Sequence, residues 1–168
     1  MNNIQKSYLQ SQRLRAYRDM LMLDESETSD IQSLQHLWSE LTQTAVILSN
    51  VKGTTVDEEA EICLTMLACL QVGIRNEEQT IKAVRRTLDV LPQLSVGTPL
   101  RLALLVFLYA ETEDDDFRQE VEDHLFLLSD APVDFIINHQ VPDFDEPALL
   151  LQVWQTIKDS VPYGIPVD

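Results

Sequence analysis

Glycine, proline, cysteine and basic residues are all scarce in this chain. Four glycines and seven prolines in 168 residues exclude collagen-like or low-complexity architecture. Four isolated glycines also cannot build a phosphate-cradling loop. Two cysteines are too few for the disulfide framework of a small secreted domain. Cys63 and Cys69 stand in an apolar helical run, where about 100° of rotation per residue turns them to different sides, so they read as small core hydrophobes. No uninterrupted apolar run approaches the roughly 18 residues of a membrane span. The N-terminus, Met1-Asn-Asn-Ile-Gln-Lys6, has no apolar leader segment. A cytoplasmic protein without a membrane partner is expected. Bases are outnumbered, with 12 Lys+Arg against 28 Asp+Glu and a net charge of −16. A field of that sign repels phosphate backbones, which argues against nucleic-acid binding by the body of the chain.

What is present is an ordinary globular composition, 45% hydrophobic and 24% charged, enough for one real core. The charge is unevenly placed. Residues 1–18 hold Lys6, Arg13, Arg15 and Arg18 and no acid, whereas the remaining 8 bases and 28 acids give the rest −20. A basic segment ahead of an acidic body could hold nucleic acid, a membrane surface or an acidic partner. Packing on its own acidic domain is the plainer role, because four charges make a small footprint for DNA.

Helical periodicity dominates and strand signals are almost absent. An apolar stripe over residues 3–23 runs through Leu9, Leu14 and Tyr17. Ser29 with Gln32, Thr55 with Glu58 and Asn76 with Gln79 read as capping boxes, and Thr98-Pro99 reads as an N-cap followed by proline at the first helical position. The helix after Asn76 should bury Ile81, Val84, Leu88 and Leu91. The run from Leu100 to Ala110 is apolar nearly all round and should be the central core helix. Further helices are expected from Asp116, after Pro132 and from Asp145. With an offset of 40, Cys63, Leu64, Leu67 and Ile81 meet Ala103, Leu104, Phe107 and Val121, a period close to that of two-helix solenoids. The expectation is one all-α domain over 1–168, with seven or eight helices in an antiparallel bundle or a short α-solenoid-like arrangement. Residues 1–28 form a basic helix and linker, 29–160 the acidic body, and 161–168 an extended tail.

No catalytic constellation emerges. His36, His124 and His139 are scattered, the serines lack a nucleophile elbow, and no S-x-x-K pattern occurs. Glu111, Glu113, Asp114, Asp115 and Asp116 have oxygens suited to calcium or magnesium, which would be needed by a small metal-dependent hydrolase. They lack the alternating order of an EF-hand loop, and acids at a helix start favourably face its dipole. No metal, no cofactor and no enzymatic activity are expected. What survives is surface: acid-lined helices that steer a basic protein partner.

The helix Asp57-Glu-Glu-Ala-Glu-Ile-Cys-Leu-Thr-Met-Leu67 resembles the UpxZ family of Bacteroidales. The likeness continues through a helix ending Thr87-Leu-Asp-Val-Leu-Pro92, a Leu-rich run finishing in Tyr109-Ala-Glu111, and the upstream Leu34-Gln-His-Leu-Trp-Ser-Glu-Leu41. It covers about residues 31–128 and consists of helical patterning rather than a chemical signature. UpxZ proteins are encoded in capsular polysaccharide loci beside a NusG-like anti-terminator, UpxY. The resemblance implies an antagonist that prevents antitermination by UpxY proteins of other loci, so that one capsule operon predominates. Such a protein should bind a NusG-like anti-terminator directly. The contact expected on that reading is acidic, at Glu58, Glu59 and Glu61 or at Glu111, Glu113, Asp114 and Asp115, because opposite charge speeds encounter and like charge rejects wrong partners. A generic acidic adaptor for a basic protein stands as the alternative, followed by a nucleic-acid contact through Arg13, Arg15 and Arg18.

Overall fold

In the computed structural model, which describes residues 6–21 and 31–127, the chain runs through six α-helices. These are α1 (Lys6–Leu21), α2 (Ile31–Leu48), α3 (Val56–Val72), α4 (Glu77–Val90), α5 (Pro99–Thr112) and α6 (Asp115–Leu127), with a 3₁₀ turn at Leu91–Gln93. No strand occurs among the described residues, and the fold is all-α. The sequence predicts seven or eight helices. The two expected after Pro132 and from Asp145 lie outside the described residues, as do the Ser29 cap and the tail at 161–168.

Two of the predicted helix starts carry their caps. The Thr55 hydroxyl accepts the Glu58 N–H at 3.1 Å, and the Asn76 side chain accepts the Gln79 N–H at 3.1 Å. Each satisfies a donor that the first turn leaves orphaned. The Glu58 carboxylate reaches one residue further back than a capping box requires, accepting from the Thr54 N–H at 2.9 Å and from its hydroxyl at 3.3 Å. Pro99 opens α5 as expected, but the Thr98 hydroxyl donates to the Ser95 carbonyl at 2.8 Å instead of capping the helix. Glu113 ends α5 in the left-handed region at φ 56°, and its N–H bonds the Tyr109 carbonyl.

The hub of the core is α3, which packs against α1, α2, α4 and α5, and not α5 as the apolar run from Leu100 suggests. Every residue from Ile62 to Leu70 is buried, as is every residue from Leu102 to Tyr109. The helix α3 reads as less central because Glu61 and Thr65 interrupt its apolar pattern. Both meet Arg13 of α1, a fully buried residue at 0% exposure. Its guanidinium donates to the Thr65 hydroxyl at 2.8 Å and pairs with Glu61 at 2.9 Å, so the polar atoms enter the core matched to one another. Tyr17 of α1 stacks on Phe107 of α5, with ring centroids 6.1 Å apart.

On α4 the buried face is Thr80, Ala83, Thr87 and Val90. Ile81 and Leu88, predicted to be buried, are exposed. The reason is local. The Thr80 hydroxyl donates to the Asn76 carbonyl at 2.8 Å and that of Thr87 to the Ala83 carbonyl at 2.7 Å. With their hydroxyls closed onto their own helix, both threonines bury as β-branched hydrocarbon. The offset of 40 residues therefore holds between α3 and α5, where Cys63, Leu64 and Leu67 and their counterparts are all buried. It breaks at α4, because Ile81 is exposed where its counterpart Val121 on α6 is buried.

Two arginines fasten the interhelical turns. Arg86 of α4 donates to both oxygens of Glu59 on α3, at 2.5 and 2.9 Å, and to the carbonyls of Leu48, at 3.1 Å, and Val51. Arg101 of α5 forks onto Glu120 of α6 at 2.6 and 3.1 Å and donates to the Leu91 and Leu94 carbonyls. Each guanidinium ties two helices to an interhelical connection, between α2 and α3 for Arg86 and between α4 and α5 for Arg101, using the planar donor set that lysine lacks.

Candidate protein-interaction surface

The seven acids singled out in the sequence fall into two groups with different surroundings. At the start of α3, Glu58 is bonded to Thr54, Glu59 holds Arg86 and the Gly53 N–H (2.9 Å), and Glu61 pairs with Arg13 and, at 3.7 Å, with Lys6. Hydrogen bonds from Arg86 hold the Glu59 carboxyl below the ordinary carboxylate range, against the opposing effect of its own burial. These carboxylates are engaged by the fold itself.

The second group lies between α5 and α6. The side chain of Glu111 is mostly buried and pairs with Arg75 at 3.3 Å. Glu113, Asp114, Asp115 and Asp116 are exposed. Asp114 turns one oxygen to the Asp116 N–H at 2.9 Å, and Asp115 stands 3.7 Å from Arg118. The outer oxygens of this turn remain directed at solvent, and the dipole of α6 favours their charge. Because Arg75 follows α3 and reaches Glu111 at the end of α5, the C-terminal ends of α3 and α5 lie together. The Glu58–Glu61 group is therefore at the far end of α3, a helix about 25 Å long at 1.5 Å per residue. The structure does not bring the two acid groups together.

The basic N-terminal helix offers little to an outside anion. Arg13 is buried, and Arg15 is bonded to Glu40 at 2.7 Å and Gln12 at 3.1 Å. Lys6 faces Glu61, and the Arg18 side chain lies outside the described ones. The described bases of this segment, Lys6, Arg13 and Arg15, are matched to acids of α2 and α3, as the self-complementing role requires.

His36 meets Glu40 at 2.6 Å, His124 turns Nδ1 to the Glu120 carbonyl at 2.9 Å, and His139 lies outside the described residues. Among the described residues no three histidine, cysteine or acidic side chains stand close enough to hold a metal ion. Cys63 and Cys69 are free and buried. Burial pushes both thiols up to about 12, helped for Cys63 by the neighbouring Glu59 carboxylate, so neither is a nucleophile at neutral pH. No described helix is long and apolar enough to cross a membrane.

One surface escapes the sequence reading. The outer side of α4 presents Ile81, Arg85 and Leu88, and it was hidden because a pattern that counts threonine as polar rotates the buried face of this helix onto them.

Sequence comparison matches residues 11–110 to the UpxZ family of transcription anti-terminator antagonists. Among solved structures, a transcription anti-terminator antagonist UpxZ from Bacteroides uniformis ATCC 8492 is similar in fold. Its TM-score is 0.61 at 18% identity, over 90% of this chain and 93% of that one. No functionally curated protein matches the chain.

Proposed function

The chain belongs to the UpxZ family of transcription anti-terminator antagonists, and from that membership we propose that it binds NusG-like anti-terminators of other capsular polysaccharide operons directly and blocks their action in the cytoplasm. The role requires recognition and no catalysis. The observation that carries it is the family match across α1 to α5, residues 11–110.

The electrostatics agree with a basic partner. With Glu58 bonded to Thr54 and Glu59, Glu61 and Glu111 occupied by Arg86, Arg13 and Arg75, the acids left to meet it are Glu113 and Asp114, joined by Asp116 and by the exposed side of Asp115, which also reaches Arg118. Exposed charges of this kind raise association rates and are screened over roughly 8 Å at physiological salt. Surface plasmon resonance against cognate and non-cognate anti-terminators across a salt series tests the reading. Binding with an association rate that falls as salt rises is expected. Absence of binding to every anti-terminator would sink the proposal, and a salt-independent association rate would remove the role of the acidic turn alone.

A further inference from the structure

Seven large apolar side chains are exposed among the described residues: Tyr8, Val46, Ile47, Ile74, Ile81, Leu88 and Val96. Single exposed apolar residues are ordinary on a protein surface, but four of these seven fall on α4 and on the connections at its two ends. Ile81 and Leu88 are 48% and 41% exposed, and Ile74 and Val96 are 52% and 65% exposed. Within α4 the positions 81, 85 and 88 follow i, i+4 and i+7 spacing, so Ile81, Arg85 and Leu88 form one stripe. That stripe is turned away from the face buried by Thr80, Ala83, Thr87 and Val90.

Its charge is the second observation. Ten of the twelve bases have described side chains. Eight of these lie within 4.0 Å of a carboxylate: Lys6, Arg13, Arg15, Arg75, Lys82, Arg86, Arg101 and Arg118. Lys52 and Arg85 are the two that do not. In a chain with 28 acids, an exposed arginine left unmatched between two exposed apolar side chains is available to a carboxylate from outside. Lys82, paired with Glu78 at 3.8 Å, borders the stripe on one side.

We propose that the outer face of α4 docks a segment of the anti-terminator in which a carboxylate stands between two apolar side chains. The apolar groups seat on Ile81 and Leu88, and the carboxylate pairs with Arg85. This rests on the reading that the protein binds an anti-terminator directly, and it adds to that reading the apolar anchor that an acidic rim cannot supply. It also supplies selectivity. An acidic body attracts any basic protein, whereas one unmatched arginine at a fixed place rejects a partner that presents a base or an uncharged group there.

The test is surface plasmon resonance of the full chain and two variants against a panel of purified NusG-like anti-terminators, with thermal melts to show that the variants fold. Arg85 is exposed, so Arg85→Glu should melt like the parent. Ile81 and Leu88 are about half-buried, so the double serine variant should unfold cooperatively at a somewhat lower temperature. The expected result is that Ile81→Ser with Leu88→Ser raises Kd at least about 30-fold. Arg85→Glu should raise it at least about 10-fold, unequally across the panel. Parent binding with both variants within twofold of it overturns the docking face and leaves the proposed function standing. No binding by the parent overturns that function and this inference with it. Unchanged binding together with conversion of a dimer to a monomer in the double variant assigns the face to a second copy of the chain and overturns the proposal.

Discussion

Replacing Arg86 by methionine removes the guanidinium that joins α4, α3 and the end of α2 while keeping most of its aliphatic stem. Two effects add. The Glu59 carboxylate loses a bidentate partner and retains the Gly53 N–H and a contact from the Cys63 thiol. Breaking a fully buried ion pair costs about 3–5 kcal/mol. Here both side chains are about one-fifth exposed (18% and 22%), and solvent reduces the cost to about 2 kcal/mol. The carbonyls of Leu48 and Val51 lose a charged donor, which at this partly wet site adds about 1 kcal/mol in total. A loss of about 3 kcal/mol lowers Tm by about 6–12 °C for a chain of this size. Glu59→Gln keeps neutral hydrogen bonds and should cost about 1 kcal/mol. The double variant should fall short of the sum, because the two residues share one contact. Differential scanning calorimetry of the three variants measures all of this. A melting point for Arg86→Met within about 2 °C of the parent would refute the assignment of Arg86 as the fastening residue of this turn. The linkage to pH has a definite sign. Since Arg86 lowers the folded-state value of Glu59, the contribution is fully present above the ordinary carboxylate range. It is lost as pH falls through that range and past the folded value, and Glu59→Gln should flatten this part of the acid limb.

Three further outcomes are expected. Gly53→Ala should destabilise the protein by about 1–3 kcal/mol in chemical denaturation, because a Cβ there would lie 2.3 Å from the Glu59 backbone nitrogen; a neutral substitution would contradict the close approach. Electrophoretic mobility shift at low salt should show no binding to duplex DNA or RNA, since Arg13 is buried and Arg15 is paired; a shift abolished by Arg15→Ala would refute this. Ellman's reagent at pH 8 should leave both thiols unreacted in the folded protein and titrate two per chain after denaturation; rapid reaction of the native chain would contradict the burial of Cys63 and Cys69.

The elements legible in the sequence were those set by neighbours along the chain. The Thr55 and Asn76 caps are local hydrogen bonds that span three residues, and the all-apolar run of α5 announces its own burial. What depended on partners distant in sequence was not legible. Glu59 and Glu61 look like surface acids until Arg86, 27 residues away in sequence, and Arg13 of the first helix fold against them. The same pairing explains why α3, with polar residues in its pattern, became the hub in place of α5. On α4 the error was one of chemistry: hydroxyls bonded to their own helix let Thr80 and Thr87 take the buried face. That rotation exposes Ile81 and Leu88, two side chains whose spacing in the sequence reads as core.

Terminator read-through in a reconstituted transcription reaction tests the antagonist role most directly. RNA polymerase, a template with a terminator, and a cognate or non-cognate NusG-like anti-terminator are combined with increasing amounts of this protein. The account predicts that read-through driven by the non-cognate anti-terminator falls to the level without anti-terminator, while read-through driven by the cognate one persists. Unchanged read-through with every anti-terminator, at protein concentrations well above theirs, would contradict it.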